Sequence, residues 1–358
     1  MTDVSSDPSP ARKAGCLKKL LLSLFSVLVV LVLAVVLGEW YCSRRYSMLE
    51  ETLKWEGKQG DYFTYDSVLG WKGKPDVEGM HGSGVWISHN ERGFRDTPWD
   101  LDTDKTRVLL LGDSNMWGYG VEDDEHPAAL LNAWTPDIRW FNAGMNGYGT
   151  DQQYLSFLKL QPVVQPDWTV LVVCGNDRKE NNRMRVRGYN KPYFSVEDGE
   201  LVRHNVPVPQ PEMGENLYTP IANRVFSRTH SYLLYHIAQA LDSRMDRSTD
   251  RPVRKPKKIG ADTPADPTLP LIGALHEAAG GRLLVMPMTT DDEMEAYCRN
   301  NNIPFADLSR TEARQPGPLQ YPGGAPKHGH WTPEGNRVAA EFILESVKPY
   351  LENYTGNG

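Results

Sequence analysis

Cysteine is scarce in this chain: four residues in 358, at positions 16, 42, 174 and 298. They do not fall at the spacing of a zinc site, and they are too scattered for a disulfide frame. Cys174 lies in an apolar run and reads as a core residue. Basic charge is also short. The chain carries a net charge of -7, and residues 1–45 alone hold six basic against three acidic side chains, which leaves the rest near -10. So acidic a domain is a poor binder of phosphate backbones, and no nucleic-acid partner is expected. Its one basic patch, RKPKK, lies within 246–267, a stretch rich in proline and charge that reads as a solvated, mobile loop. No internal repeat is present, and long apolar runs are absent with one exception.

That exception is LLLSLFSVLVVLVLAVVLG, Leu20 to Gly38, which carries no charge. It is long enough to cross a bilayer as a helix. Arg12, Lys13, Lys18 and Lys19 precede it, and Arg44 and Arg45 follow, so the N-terminus is expected inside and the rest of the chain outside. A cleaved signal peptide has a shorter apolar core and a small-residue cleavage site, which is missing here. Ala14–Cys16 lies ahead of the run, the wrong order for a lipoprotein site. The expected organisation is therefore a basic cytoplasmic tail (1–19), a transmembrane signal-anchor (20–41) with Trp40 and Tyr41 as interfacial aromatics, a membrane-proximal lead (42–104) and a main domain (105–353).

Within the main domain, RVLLLGD (107–113), WFNAG (140–144), DWTVLVVCG (167–175), RLLVMPM (282–288) and IPFADL (303–308) are short apolar runs that fit strands buried on both faces. Helices are expected near 124–134, 150–160, 229–245, 269–279, 291–301 and 333–352. Thr332 and Pro333 provide a start signal for the last of them. Alternating strands and helices make a three-layer α/β/α sandwich on a mostly parallel, flavodoxin-like five-stranded sheet, with active groups beyond the carboxyl ends of the strands. Residues 178–228, polar and rich in Pro and Tyr, read as a long loop or cap.

Ser114 follows the first of these strands directly, so its hydroxyl is expected at the carboxyl edge of the sheet, where a nucleophile belongs. A lone Gly-Asp-Ser is weak; its companions give it weight. The second strand ends in Asn142 and Gly144, with Gly147 and Gly149 beyond, and glycines there let a backbone N–H approach a reacting atom. The third ends in Gly175 and Asn176, whose amide can donate to an oxyanion. His330 stands just ahead of the last helix. Asp113 reads as tying down the turn, and Trp117 and Tyr119 are candidates to line a substrate groove. Trp331 reads as a lid on the His330 loop.

The blocks GDSNMWGYGV, NAGMNGYGTDQ, GND and HGHWTPEG, in this order, resemble the SGNH hydrolases, also called the GDSL esterase and lipase superfamily. The resemblance covers roughly residues 105 to 350. Upstream, YDSVLGWKGKP and NERGFR resemble the lead of a membrane-anchored bacterial branch. It implies Ser114 as nucleophile, His330 as general base, and an oxyanion hole from the Ser114 N–H, the Gly144 N–H and the Asn176 side chain. It implies no cofactor and no metal.

One departure is plain. Where that branch has an Asp two residues ahead of the histidine this chain has His328, and three ahead it has Lys327. A carboxylate there fixes the imidazole tautomer and stabilises the imidazolium. Three readings follow: a Ser-His dyad oriented by His328 or a backbone carbonyl; a carboxylate from elsewhere, Asp307 or Asp177; or a non-catalytic relative that binds a glycan. The expected function is a membrane-anchored serine esterase acting on a small-molecule or carbohydrate ester. An O-acetyltransferase for exported polysaccharide is the alternative. The sequence leaves the acyl group and the oligomeric state open.

Overall fold

The computed structural model describes residues 10–45, 62–81, 83–181, 183–186, 189–210, 225–226, 228–249, 266–310, 319–321 and 329–355. The chain forms two compact units, residues 1–47 with 219–245, and residues 48–218 with 246–358.

The first unit opens with helix α1, Pro10–Arg45. Its segment Leu21–Arg44, 24 residues, is long and apolar enough to cross a membrane. At 1.5 Å per residue that is about 36 Å, against a hydrocarbon core of about 30 Å.

In the second unit the lead folds into two small antiparallel hairpins, β1 (Phe63–Asp66) with β2 (Gly70–Gly73), and β3 (Glu78–Met80) with β4 (Trp86–Ser88). The main sheet follows. Strand β5 (Thr106–Leu111) leads into a single helical turn, α2 (Ser114–Trp117), then α3 (Pro127–Trp134), β6 (Ile138–Asn142), α4 (Thr150–Val164), β7 (Trp168–Val173) and a second turn, α5 (Asp177–Glu180). An insertion then carries β8 (Arg185–Val186), β9 (Tyr189–Asn190), β10 (Tyr193–Glu197) and β11 (Glu200–His204) as two further hairpins. Helix α6 (Tyr232–Thr249) belongs mostly to the first unit. Helix α7 (Thr268–Ala278), strand β12 (Leu283–Pro287), α8 (Asp292–Asn300) and α9 (Pro333–Thr355) complete the second.

The four strands of the main sheet are all parallel, in the order β12-β7-β5-β6. Their runs are continuous rather than alternating because both faces are covered. Along β5, Val108 and Leu110 point into a core with Leu131 of α3 and Ile343 and Val347 of α9. Leu109 and Leu111 point the other way, into a core with Phe157 of α4 and Ile272 and Leu275 of α7. The two-residue strand period thus sorts one run into two cores and gives the expected three layers.

The expected fifth strand, 303–308, is reduced to one parallel bridge, Phe305 with Val285. Pro304 has no N–H to donate to a ladder, and the chain turns into a 3₁₀ helix at Leu308–Arg310. The expected helix starts hold: the Thr332 hydroxyl accepts the Gly335 N–H at 3.1 Å, with Pro333 in the first turn of α9. The stretch 250–265, most of the expected mobile loop with its basic patch, lies outside the described residues, as does 211–224 of the expected cap.

The lead is fastened to the carboxyl edge of the sheet by a buried cation. Arg95, fully buried, donates to the carbonyls of Gly118 and Val121 and pairs with Asp123 at 2.8 Å. Its neighbour Asp96 pairs with Arg139 at 3.1 Å and accepts the Asn142 N–H at 3.1 Å. The NERGFR block with Asp96 is therefore a clamp on the loop after β5 and on strand β6.

Candidate active site

Ser114 emerges where β5 ends. Asp113 caps the α2 turn, its carboxylate accepting the Asn115 N–H at 3.0 Å, and the turn closes with the Tyr119 N–H on the Ser114 carbonyl at 2.9 Å. Asp113 thus ties down the turn, as expected. The Ser114 hydroxyl lies 2.8 Å from His330 Nε2 and 3.3 Å from Asp113 Oδ2. Its single proton therefore has its shorter path to the imidazole, well within the range for general-base catalysis.

His330 sits on a loop pinned from three sides. Its carbonyl accepts the Tyr321 N–H at 2.9 Å, the next residue's N–H (Trp331) reaches Asn115 Oδ1 at 3.4 Å, and Thr332 N–H donates to Leu319 O at 3.0 Å. The Tyr119 ring stacks on the imidazole, centroids 4.4 Å apart and planes at 25°. Tyr119 is therefore the surface on which the His330 ring rests.

Two aromatic assignments are corrected. Trp117, expected to line a groove, has no exposed surface; its Nε1–H donates to His89 Nε2 at 3.3 Å and its ring packs against Phe63 and His81. Burial holds that His89 acceptor neutral, pushing its pKa down to about 4. Trp331, expected as a lid, is buried in the core with Ile343 and Leu308. Neither side chain has surface left for a substrate.

The oxyanion donors also need one correction. The Gly144 N–H is taken by Asn142 Oδ1 at 3.0 Å, so it is not available to a reacting oxygen. Gly144 instead permits close packing: a Cβ there would lie 2.6 Å from the Trp117 N and 2.7 Å from the Met116 carbonyl carbon, the backbone of the nucleophile's turn. Gly144→Ala should therefore push the α2 turn out of place and cost about 1–3 kcal/mol of stability, read as a lower midpoint in urea.

Gly147 keeps its N–H open. It has φ +81° in a turn at the same strand edge, and among the described residues its N–H has no acceptor. The Asn176 side chain, at the start of α5, likewise makes no hydrogen bond among the described residues. Ser114 follows the central strand β5, Gly147 follows β6 on one side and Asn176 follows β7 on the other, so the sheet order sets all three along one edge. The string GMNGYG contains the right glycine, but only the folded-back Asn142 side chain tells which N–H remains free.

Of the possible orienters of His330, His328 lies outside the described residues. Asp307 is engaged elsewhere, accepting the Ser309 N–H at 2.9 Å and pairing with Arg310 at 2.7 Å. Asp177 is fully buried, bonded to Thr150 Oγ1 at 3.1 Å and Gln153 Nε2 at 3.4 Å. Burial, and next the charge of Asp113, push its carboxyl well above the usual range. Neither carboxylate meets His330, so the structure does not supply either as the triad acid. Among the described residues no cluster of His, Cys, Asp and Glu is arranged to hold a metal ion.

No protein-family model matches the chain, and no curated protein sequence does. Solved structures do. The chain is similar to a member of the lipolytic G-D-S-L family from Veillonella parvula, at 14% identity over 67% of this chain and 97% of that one, with a TM-score of 0.35. It is similar to a lipase/acylhydrolase from Enterococcus faecalis, at 13% identity over 68% and 96%, TM-score 0.38. A psychrotrophic esterase from Pseudoalteromonas sp. gives 13% over 69% and 100%, TM-score 0.37.

Proposed function

We propose that this chain is a membrane-anchored serine hydrolase of the SGNH type that cleaves an ester through an acyl-Ser114 intermediate, with O-acyl groups on an extracytoplasmic carbohydrate as its substrate class. The observation that carries the reading is the 2.8 Å contact between Ser114 Oγ and His330 Nε2 at the carboxyl edge of a parallel sheet.

Neutral His330 accepts the serine proton as Oγ attacks the ester carbonyl. The oxyanion is held by the Ser114 and Gly147 N–H groups and the Asn176 amide. The imidazolium returns its proton to the departing alkoxide, leaving the acyl group on Ser114, and water then releases it with His330 again as base. The substrate class is supported by the charges flanking the anchor, four basic residues before the apolar run against two after it, which favour an outward orientation for the rest of the chain.

A fluorophosphonate probe applied to the chain in detergent should label the native protein on Ser114, found by mass spectrometry of the adduct. Ser114→Ala should take up none. Equal labelling of native protein and Ser114→Ala, or no labelling of either, removes the serine-hydrolase reading.

A further inference from the structure

Helix α6 lies far along the chain, between β11 and α7, yet it belongs with the anchor. Glu39 is the first charged residue after the apolar run. Its carboxylate accepts from the Ser231 hydroxyl at 2.8 Å and from the N–H groups of Tyr232 and Leu233 at 2.7 and 3.0 Å, which caps the first turn of α6. Leu233 packs beside Gly38, where a Cβ would stand 3.2 Å from the leucine Cδ2. The start of α6 is therefore fixed at the point where α1 stops being apolar. That point also carries Trp40 and Tyr41, both exposed, with Arg44 over the Trp40 ring at 5.6 Å.

Along α6, Tyr235 and Ala238 are buried, whereas Leu234, Ile237 and Leu241 are 44%, 52% and 49% exposed. Positions i, i+3 and i+7 form one stripe on a helix, and His236 falls on the opposite side. Three large aliphatic side chains in one stripe, beginning at the end of a membrane-length helix, make a surface matched to lipid.

We propose that α6 lies in the outer interface of the bilayer that α1 crosses, with Leu234, Ile237 and Leu241 set into the boundary between headgroups and acyl chains. The occupant is lipid rather than a second copy of the chain, because the Glu39 cap and the Gly38 contact fix the first turn of α6 at interfacial depth, beside exposed aromatics that favour the same layer. The chain then meets the membrane twice, once before residue 48 and again between β11 and α7. The inference rests on α1 as a membrane span and is independent of the serine chemistry.

The test uses the full chain in liposomes of phosphatidylcholine and phosphatidylglycerol containing radiolabelled phosphatidylcholine. Benzoylphenylalanine replaces Leu234, Ile237, Leu241, His236 or Val30 one at a time, and each variant is checked for native near-ultraviolet circular dichroism. On irradiation, lipid adducts at Leu234, Ile237 and Leu241 should approach those at Val30 in the middle of α1 and exceed those at His236 by roughly tenfold. Adducts at Val30 with none at Ile237 and Leu241 would overturn the interfacial helix while keeping the anchor. Chain-to-chain adducts at Ile237 and Leu241 would overturn it in favour of self-association. A lack of adducts at Val30 as well would remove the anchor and the interfacial helix together.

Discussion

Replacing His330 with alanine should lower kcat/KM on a short-chain nitrophenyl ester by several orders of magnitude, up to about 10⁶-fold, with Ser114→Ala falling to the same floor and the double variant no lower. The reason is that both residues serve one event. The Ser114 proton has its shorter contact, 2.8 Å, to His330, and without that acceptor the hydroxyl remains a weak nucleophile. The second contact, Asp113 at 3.3 Å, does not replace it, because that carboxylate is also the cap that holds the turn. What activity persists comes from the oxyanion donors and from binding, which neither substitution touches. Steady-state rates of the four proteins on one substrate decide it. A loss below about tenfold in His330→Ala would show that another group takes the proton.

The largest effect on stability is expected at Lys191→Met. Lys191 and Asp151 form an ion pair with neither side chain exposed, and Lys191 Nζ also donates to the Glu180 carbonyl at 3.1 Å. Burial pushes the Asp151 carboxyl above its ordinary range, and the Lys191 ammonium opposes that shift. Removing the cation leaves an uncompensated buried carboxylate, at a cost of about 3–5 kcal/mol. Thermal unfolding of the purified chain in detergent should therefore fall by roughly 10 °C. Asp151→Leu added to Lys191→Met should recover most of the loss, since the orphaned charge is then gone. Turnover of the single variant should drop as well, because Glu180 closes the short turn that begins at Asn176. An unchanged midpoint would mean that the pair is open to water.

The sheet and its helices were legible because their signals are local. Continuous apolar runs mark strands covered on both faces, and Thr332 with Pro333 marks a helix start. Ser114 and His330 were legible because each lies in a short block with a local signal, Ser114 directly after an apolar strand run and His330 just ahead of the capped start of the last helix. What stayed hidden depends on where side chains go once the chain is folded. An aromatic residue after a strand looks the same whether it faces a groove or, like Trp117, a core. Charged side chains read as surface, so nothing announced that Arg95 and Lys191 would be buried as ties between the core and its additions. The N–H groups of Gly144 and Gly147 are told apart by Asn142, whose side-chain Oδ1 accepts one and not the other.

The stacking of Tyr119 on His330 has a mechanical consequence. Ser114 and Tyr119 belong to one turn, closed by a backbone hydrogen bond between them. A displacement of that turn carries the attacking oxygen and the surface on which the imidazole rests in the same direction. The Asn115 side chain, in the same turn, also holds the Trp331 N–H beside His330, so the end of β5 roots both the attacking oxygen and two of the supports of the imidazole.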